Sequence, residues 1–459
     1  MKILSHKGFL IKKDGMTPTE IAKLKKDLFV SPIQIGSDFQ ISDKFPVFRE
    51  SESRFRIPRF YGISTFGTPI NQLDSGISID VTFTGQLKKE TFQDIACEKC
   101  IETLSTKGGG ILSLGTGFGK TTCALYILSH FKVKTLIIVH KEFLMNQWIE
   151  RIHQFLPSAS IGIIQQNKID TKKDIVIAML QSLSMKEYTS DTFKGFGFTI
   201  IDETHHVCSK VFSRALFSYT SKMILGLSAT PNRKDGLTRV LHWFIGDIIF
   251  QAGRENEKNV EIVSTYLTYP LYSSEPPLNV LGKVNLPEII NQIVVIPERN
   301  AKIIELIKDS LQEQRKIIVL SDRRKHCETL LESLVSQNIS AGLYMGGMHQ
   351  SVLKENESCD VILATYSLAH EGLDIPSLNT LIFATPKTDI VQSAGRILRE
   401  TGNKSHYPKI YDLIDTYGPL PNQYKKRLQY YKKAGFNIND PRFVKKEKKE
   451  PRKFQFVEE

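Results

Sequence analysis

The segment Leu114-Gly-Thr-Gly-Phe-Gly-Lys-Thr-Thr122 packs three glycines, a lysine and three threonines into nine residues. Glycines at 115, 117 and 119 let backbone N–H groups wrap a polyphosphate. Lys120 reaches the terminal oxygens, and the Thr121 hydroxyl is suited to Mg²⁺. Thr116, Phe118 and Thr122 complete the candidate nucleotide contact. The strict phosphate-loop pattern wants glycine at position 114, where this chain has leucine. The flanks compensate: Gly110 to Leu114 is a short apolar run fitting a strand, and Cys123 to Leu128 continues as a helix.

A second constellation lies about eighty residues on. Phe198-Thr-Ile-Ile201 reads as a buried strand, and Asp202 and Glu203 follow it directly. Open α/β sheets bind ligands at the carboxyl edge of their strands, which is where this pair projects. Asp202 is the candidate Mg²⁺ ligand with Thr121, and Glu203 the candidate to orient the attacking water. His205, His206 and Cys208 also allow a zinc reading, which a hard Mg²⁺–triphosphate site with its own acidic ligands disfavours. Ser228, Ala229 and Thr230 end another apolar strand, putting two hydroxyls near the same edge. Gln392, Arg396 and Arg399 stand at offsets zero, four and seven, one face of a predicted helix. Their rigid guanidinium forks suit the charge that spreads during phosphoryl transfer.

Composition bounds what such a site serves. A chain of 459 residues suits two or three domains. At 41% hydrophobic and 24% charged residues it is of soluble globular type, with no apolar run near the length of a membrane span. The start lacks a signal-peptide pattern. Six scattered cysteines fit a reducing compartment. Cys97-Glu-Lys-Cys100 looks like half a zinc site, but no second pair follows at finger spacing, so packing within a helix is the expectation. The formal charge of +12 favours a polyanionic partner beside the nucleotide.

The elements that position these groups fall into blocks. Residues 1–80 read as an N-terminal accessory module, with Thr17 capping a helix begun by Pro18. Its segment from Phe45 to Tyr61 interleaves Arg49, Arg54, Arg56 and Arg59 with Phe48, Phe55, Phe60 and Tyr61. That mixture either packs its own aromatics or stacks bases and touches phosphates. Residues 81–250 alternate strand and helix, the pattern of an α/β domain with a parallel sheet. Residues 251–285, with Pro270, Pro276 and Pro277, read as a connector. A second α/β unit spans 286–440 without a glycine loop of its own, and 441–459 is a basic tail.

In order, these motifs resemble those of superfamily 2 helicases and translocases. Gly115 to Thr121 is similar to motif I in the form usual there, which tolerates Leu114. Gln93 is placed like the adenine-recognising glutamine. Leu136 to Trp148 looks like motif Ia, Ala178 to Leu183 like motif Ib, and Asp202-Glu-Thr-His205 like motif II. Ser228-Ala-Thr230 looks like motif III, Thr365 with Glu371-Gly372-Leu-Asp374 like motif V, and Gln392 to Arg399 like motif VI. The extension Pro231-Asn-Arg233-Lys-Asp235-Gly236 resembles the branch holding the xeroderma pigmentosum group B helicase, phage UvsW and transcript-release helicases of large DNA viruses.

The resemblance implies two RecA-like domains of α/β class binding ATP and Mg²⁺. It implies catalytic roles for Lys120, Asp202, Glu203, Arg396 and Arg399. Coupling falls to His205, Ser228, Ala229, Thr230, Gly372, Asp374 and Gln392, and nucleic-acid contact to Lys141, Gln147 and Thr365. The expected activity is 3′-to-5′ translocation on DNA, single-stranded or tailed duplex, in viral transcription elongation or transcript release. RNA polymerase or other transcription factors are the expected partners, and the virion and host cytoplasm the expected location. The alternatives are an RNA helicase, a repair or replication-fork translocase, and a non-hydrolysing transcription subunit that binds nucleic acid.

Overall fold

The computed structural model describes residues 2–32, 44–115, 117–204, 209, 211–229, 235–252, 259–371, 373, 375–398 and 406–443. Two compact units divide the chain, Met1–Gly253 and Arg254–Glu459.

In the first unit the apolar runs become strands that are buried on both faces. Gly109–Leu114, Thr135–Val139, Ile175–Met179, Phe198–Ile201 and Met223–Ser228 are buried at every position. Helices cover both sides of such a sheet, so the strands need no polar face. They belong to an eight-stranded sheet. Its order is Lys168–Ile169, Ile161–Gln165, Ile175–Met179, Thr135–Val139, Phe198–Ile201, Met223–Ser228, Gly109–Leu114, Ile248–Ala252. Every pairing is parallel except that of the Lys168–Ile169 edge strand. The glycine loop therefore leaves one strand and Asp202 leaves another two places over, both at the carboxyl edge.

Residues 2–80 have a sheet of their own, ordered Arg49–Glu50, Arg54–Ile57, Gly8–Lys12, Lys2–Ser5, Ile70–Asn71. Beside it runs the helix Pro18–Leu28, closed by a reciprocal Thr17–Glu20 capping box. Phe9, Leu28, Phe55 and Ile57 are fully buried in the core of this layer. The layer is also fastened to the lobe behind it. Val30, Phe45 and Val47 join the lobe's own core. Arg59 donates to the carbonyls of Lys107, Gly108, Ser221 and Lys222 at 2.9–3.4 Å. Of the arginines expected in recognition, Arg59 is thus a buried tie. Phe55 and Tyr61 are packing residues.

The second unit is built on seven strands, ordered Ala341–Tyr344, Val361–Thr365, Ile317–Ser321, Thr380–Phe383, Lys409–Asp415, Glu261–Leu267, Asn437–Asn439, every pairing parallel. This corrects the connector expected at 251–285, because Glu261–Leu267 pairs along its whole length with Lys409–Asp415. The prolines stand beyond that strand, where Pro270 opens a short 3-10 turn. The arginine helix is present in this unit. It spans Val391–Ile397 with Leu398 as its cap and carries Gln392 and Arg396, while Arg399 lies outside the described residues.

Candidate active site

The glycine loop is held open by its backbone conformation. Gly117 and Gly119 have φ of 88° and 79°, the left-handed region that other residues adopt only with strain. A Cβ at Gly119 would lie 2.4 Å from Gln93 Nε2. That contact places Gln93, which is buried at the start of the helix Gln93–Thr106. Its Nε2 donates to the Phe118 carbonyl at 2.9 Å, and its Oε1 accepts from Lys88 N at 2.9 Å. The residue expected at the base thus also braces the loop. The helix Lys120–Phe131 begins directly after Gly119 without a side-chain cap. Its first N–H groups and partial positive charge face the loop, a ready phosphate cradle. Thr121 and Thr122 occupy the first turn, and Lys120 Nζ donates to the Leu114 carbonyl at 3.3 Å.

Asp202 follows the strand Phe198–Ile201, its backbone N–H bonded to the Ile138 carbonyl at 3.0 Å. Burial, then the adjacent Glu203 charge, push its carboxyl above the ordinary range, while Trp148 and Lys120 pull the other way. Trp148 Nε1 donates to Asp202 Oδ2 at 2.9 Å. Trp148 is 1% exposed on the helix Glu142–Phe155, so the hydrogen bond is dry and directional. Glu203 has φ 46°, an uncommon backbone state for a side chain that is not glycine, found where a turn must aim a functional group. His140, at the end of the neighbouring strand, is pushed down to about 4 by burial and Lys141 and is neutral at physiological pH.

Ser228 is fully buried and pairs in register with Ser113, just before the glycine loop. Thr204 is fully buried too, and a Cβ at Gly226 would meet its Cγ2 at 2.7 Å. Threonine after the acidic pair therefore fits because the facing strand carries glycine. Lys141 and Gln147 lie partly buried at and within the helix Glu142–Phe155, and burial lowers the Lys141 ammonium. In the second unit Thr365 ends the strand Val361–Thr365 and Gln392 is half-buried. Arg396 is 7% exposed and donates to the Leu373 carbonyl at 2.8 Å, so its guanidinium is tied inside its own unit. Thr116, His205, His206, Cys208, Thr230 to Lys234, Gly372, Asp374, Arg399 and the tail from 444 lie outside the described residues. Cys97 and Cys100 are fully buried in the helix Gln93–Thr106, as packing requires.

The donor set fits Mg²⁺ with a nucleoside triphosphate. Hydroxyl and carboxylate oxygens suit a hard cation, and a buried, destabilised carboxylate gains from a positive neighbour. Trp148, which sequence reasoning placed only at the end of a motif, bonds the candidate metal ligand Asp202. An apolar helix with a buried tryptophan reads as core, and only the fold brings position 148 to position 202.

A glycine loop and a half-buried acidic pair at the carboxyl edge of one parallel sheet define a phosphate-loop nucleotide hydrolase of the RecA-like class. Residues 86–233 match the family "Type III restriction enzyme, res subunit", and residues 298–401 match "Helicase conserved C-terminal domain". A mimivirus protein named "Putative ATP-dependent RNA helicase" is 34% identical over 448 residues, covering 94% of this chain and 85% of that protein. A protein of Invertebrate iridescent virus 6, named a helicase, is 28% identical over 382 residues, 78% of this chain and 83% of that one. An African swine fever virus protein, named like the mimivirus one, is 26% identical over 369 residues, 73% of this chain and 70% of that one. The chain belongs to the superfamily 2 helicases, in the branch that holds these viral proteins. It is a helicase of nucleic-acid-stimulated NTPase type, and its helicase domains imply binding of ATP and of nucleic acid. The crystal structure of T4 UvsW aligns over 92% of this chain and 95% of that chain at 18% identity and a TM-score of 0.34, too low to carry an argument. Among the described residues no helix is long and apolar enough to cross a membrane.

Proposed function

We propose that the chain is an ATP-driven DNA translocase and helicase moving 3′ to 5′, and that it serves viral transcription elongation or transcript release. The observation behind the reading is the half-buried Asp202, its carboxyl raised by desolvation and by Glu203 and aligned by Trp148 near Lys120. Such a destabilised acidic pair is suited to a divalent cation and a polyphosphate. The loop Gly115–Thr122 binds the phosphates, Lys120 contacts the terminal ones, and Gln93 reads the base. Thr121 and Asp202 hold Mg²⁺, which when bound offsets phosphate charge. Glu203 orients the attacking water and accepts its proton. Arg396 and Arg399 stabilise the charge that develops in transfer, which requires Arg396 to leave the Leu373 carbonyl. Lys141, Gln147 and Thr365 contact the nucleic-acid backbone. His205, Ser228, Ala229, Thr230, Gly372, Asp374 and Gln392 couple the nucleotide state to that grip.

A second reading, an RNA helicase, is favoured by the printed names of the mimivirus and African swine fever virus relatives. The experiment compares ATPase stimulation by single-stranded DNA, duplex DNA and RNA, then strand displacement on duplexes with 3′ or 5′ tails. Stimulation by DNA and displacement from 3′ tails are expected; stimulation by RNA alone would establish the second reading instead. Affinity capture of the native protein, scored for RNA polymerase subunits against repair and replication proteins, tests the process. Immunoblotting of purified particles and of infected-cell fractions tests the virion and cytoplasmic location.

A further inference from the structure

A cleft of about 660 Å³ opens within the first unit, between the N-terminal layer and the segments 183–189 and 213–219 of the lobe. One wall carries Lys7, Arg49 and Arg56, and the other Lys186 and Arg214, with Glu187 the one acidic lining residue among those described. Five basic side chains against one acidic is a strong local excess.

Register makes the excess deliberate. In the antiparallel pair Arg49–Glu50 with Arg54–Ile57, Arg49 stands directly opposite Arg56. Like charges in direct cross-strand register destabilise a sheet by some tenths of a kcal/mol up to about 1 kcal/mol. Both guanidinium groups lie over the Phe217 ring, at 5.8 and 5.5 Å from its centre. The carboxylate next to them, Glu50, is bound by Lys13 and Lys25 at 2.7 and 2.9 Å. Among the described residues no carboxylate forms an ion pair with Arg49, Arg56 or Arg214. Burial and the Arg49 charge push the Arg56 guanidinium down to about 10, and Lys7 and Arg56 lower His6 after burial has done so. The protein thus maintains a positive field here at a cost to its own stability.

Aromatic rings also line the cleft. Phe48 and Tyr188 are half-buried there, and Tyr188, Phe193 and Tyr219 pack in a tilted series with ring centres 5.2–5.3 Å apart. Guanidinium groups beside the half-buried rings of Phe48 and Tyr188 favour a ligand with a repeating negative charge and flat apolar faces. A duplex hides its base faces by stacking them on one another, and an acidic peptide offers no such faces. An unpaired polynucleotide strand offers both.

Resting on the proposed nucleic-acid substrate, we infer that this cleft is a separate binding site for a single strand of DNA or RNA, held by Arg49 and Arg56 facing Lys186 and Arg214. None of these residues belongs to the nucleotide site or to the candidate backbone contacts Lys141, Gln147 and Thr365. The cleft therefore sets how long a strand the first unit grips, not whether ATP is hydrolysed.

The test uses the full chain and fluorescence anisotropy with labelled oligo(dT), oligo(U) and a blunt duplex across a salt series. Two paired variants address opposite walls, Arg49→Gln with Arg56→Gln, and Lys186→Gln with Arg214→Gln, so one folding failure does not decide the matter. ATPase without nucleic acid should equal the parent's in both pairs; thermal unfolding should be unchanged in the Lys186 and Arg214 pair and equal or higher in the Arg49 and Arg56 pair, which relieves the like-charge register. Single-strand affinity should fall about tenfold in each pair, and the slope of log K against log salt should shrink by about 1.4, two phosphate contacts' worth for a single strand. Tyr188→Leu should weaken the single strand and spare the blunt duplex. A stronger loss for oligo(dT) or for oligo(U) supports the cleft and names the sugar it takes. Unchanged single-strand affinity and slope in both folded pairs would assign the cleft to an acidic protein segment and overturn the inference. An equal loss for the blunt duplex would overturn its single-strand character. A parent enzyme whose ATPase no nucleic acid stimulates would refute the proposed function itself; a stimulated parent matched by its variants refutes only the cleft.

Discussion

The two units share a parallel sheet and differ in how they treat buried charge. The second neutralises its own. Arg299 and Asp415, both fully buried, meet in a fork at 2.8 and 3.0 Å, and Arg427 grips Asp412 at 2.8 and 2.9 Å with Tyr431 adding a third bond. The first holds the half-buried Asp202 beside Glu203, with the Trp148 indole N–H, the Glu203 backbone N–H and a nearby Lys120 offsetting its charge. Buried pairs with satisfied geometry serve architecture, whereas a desolvated carboxylate beside a like charge is a site prepared for a cation. The fold is the same; the charge balance separates scaffold from engine.

The sharpest break of that comparison is Asp202→Asn. Turnover should fall roughly 10³-fold, since several kcal/mol of metal-assisted stabilisation are lost. The nucleotide-free protein should become more stable. The raised carboxyl means that the fold prefers the uncharged form, a preference present at low pH and lost as pH rises through the raised value. Asparagine is uncharged at all pH, and its one oxygen can accept from Trp148 while giving up the bond from the Glu203 backbone N–H. Calorimetry at neutral pH that finds a lower Tm would contradict the strained-site reading. In the second unit the sign reverses. Arg299→Met leaves Asp415 buried without a counter-charge, with only the Tyr272 hydroxyl donating to it, and should cost about 3–5 kcal/mol in urea unfolding. A neutral outcome would erase the contrast between the units.

Acid sharpens the comparison further. His326 is pushed down to about 3 by burial and then by Arg299, and it bonds Ser321 and Asn300 at 3.0 and 2.9 Å. Below pH 6.5 the unfolded chain takes up a proton that the folded one refuses. Stability should therefore fall by up to about 1.4 kcal/mol per pH unit from 6.5 towards 3. His326→Gln should flatten that slope in unfolding curves; an unaltered slope would place the acid sensitivity elsewhere. The smallest effect is expected from Trp148→Phe, which keeps the ring and deletes the donor. Losing one bond to a carboxylate is worth about 1–3 kcal/mol. The Mg²⁺ needed for half-maximal turnover should rise and the pH profile should move to the alkaline side. A variant with parental Mg²⁺ dependence would reduce Trp148 to packing.

Legibility in the sequence followed chemistry that is local. The strand Thr135–Val139 and its neighbours were plain as apolar runs, and the glycine loop announced itself within nine residues. Glu261–Leu267 escaped because it is buried only at alternate positions over most of its length and is followed by prolines. Lys409–Asp415 escaped because Asp412 and Asp415 interrupt its apolar pattern, and they are tolerable inside only through Arg427 and Arg299, distant in the chain. The same distance hid Trp148 from Asp202. In the N-terminal layer, aromatics and arginines alternate along one segment, yet Phe55 and Arg59 turn inward while Phe48 and Arg49 line the cleft. Composition alone cannot divide them.

The contact between Thr204 and Gly226 constrains history as well as shape. With threonine at 204, a methyl group at 226 has nowhere to go, because Cγ2 would stand 2.7 Å from it. Lineages carrying this pair can exchange both residues in one order only: the threonine must shrink before the glycine grows. Position 226, a silent strand residue, thereby acts as a ratchet on the identity of the residue that follows the acidic pair.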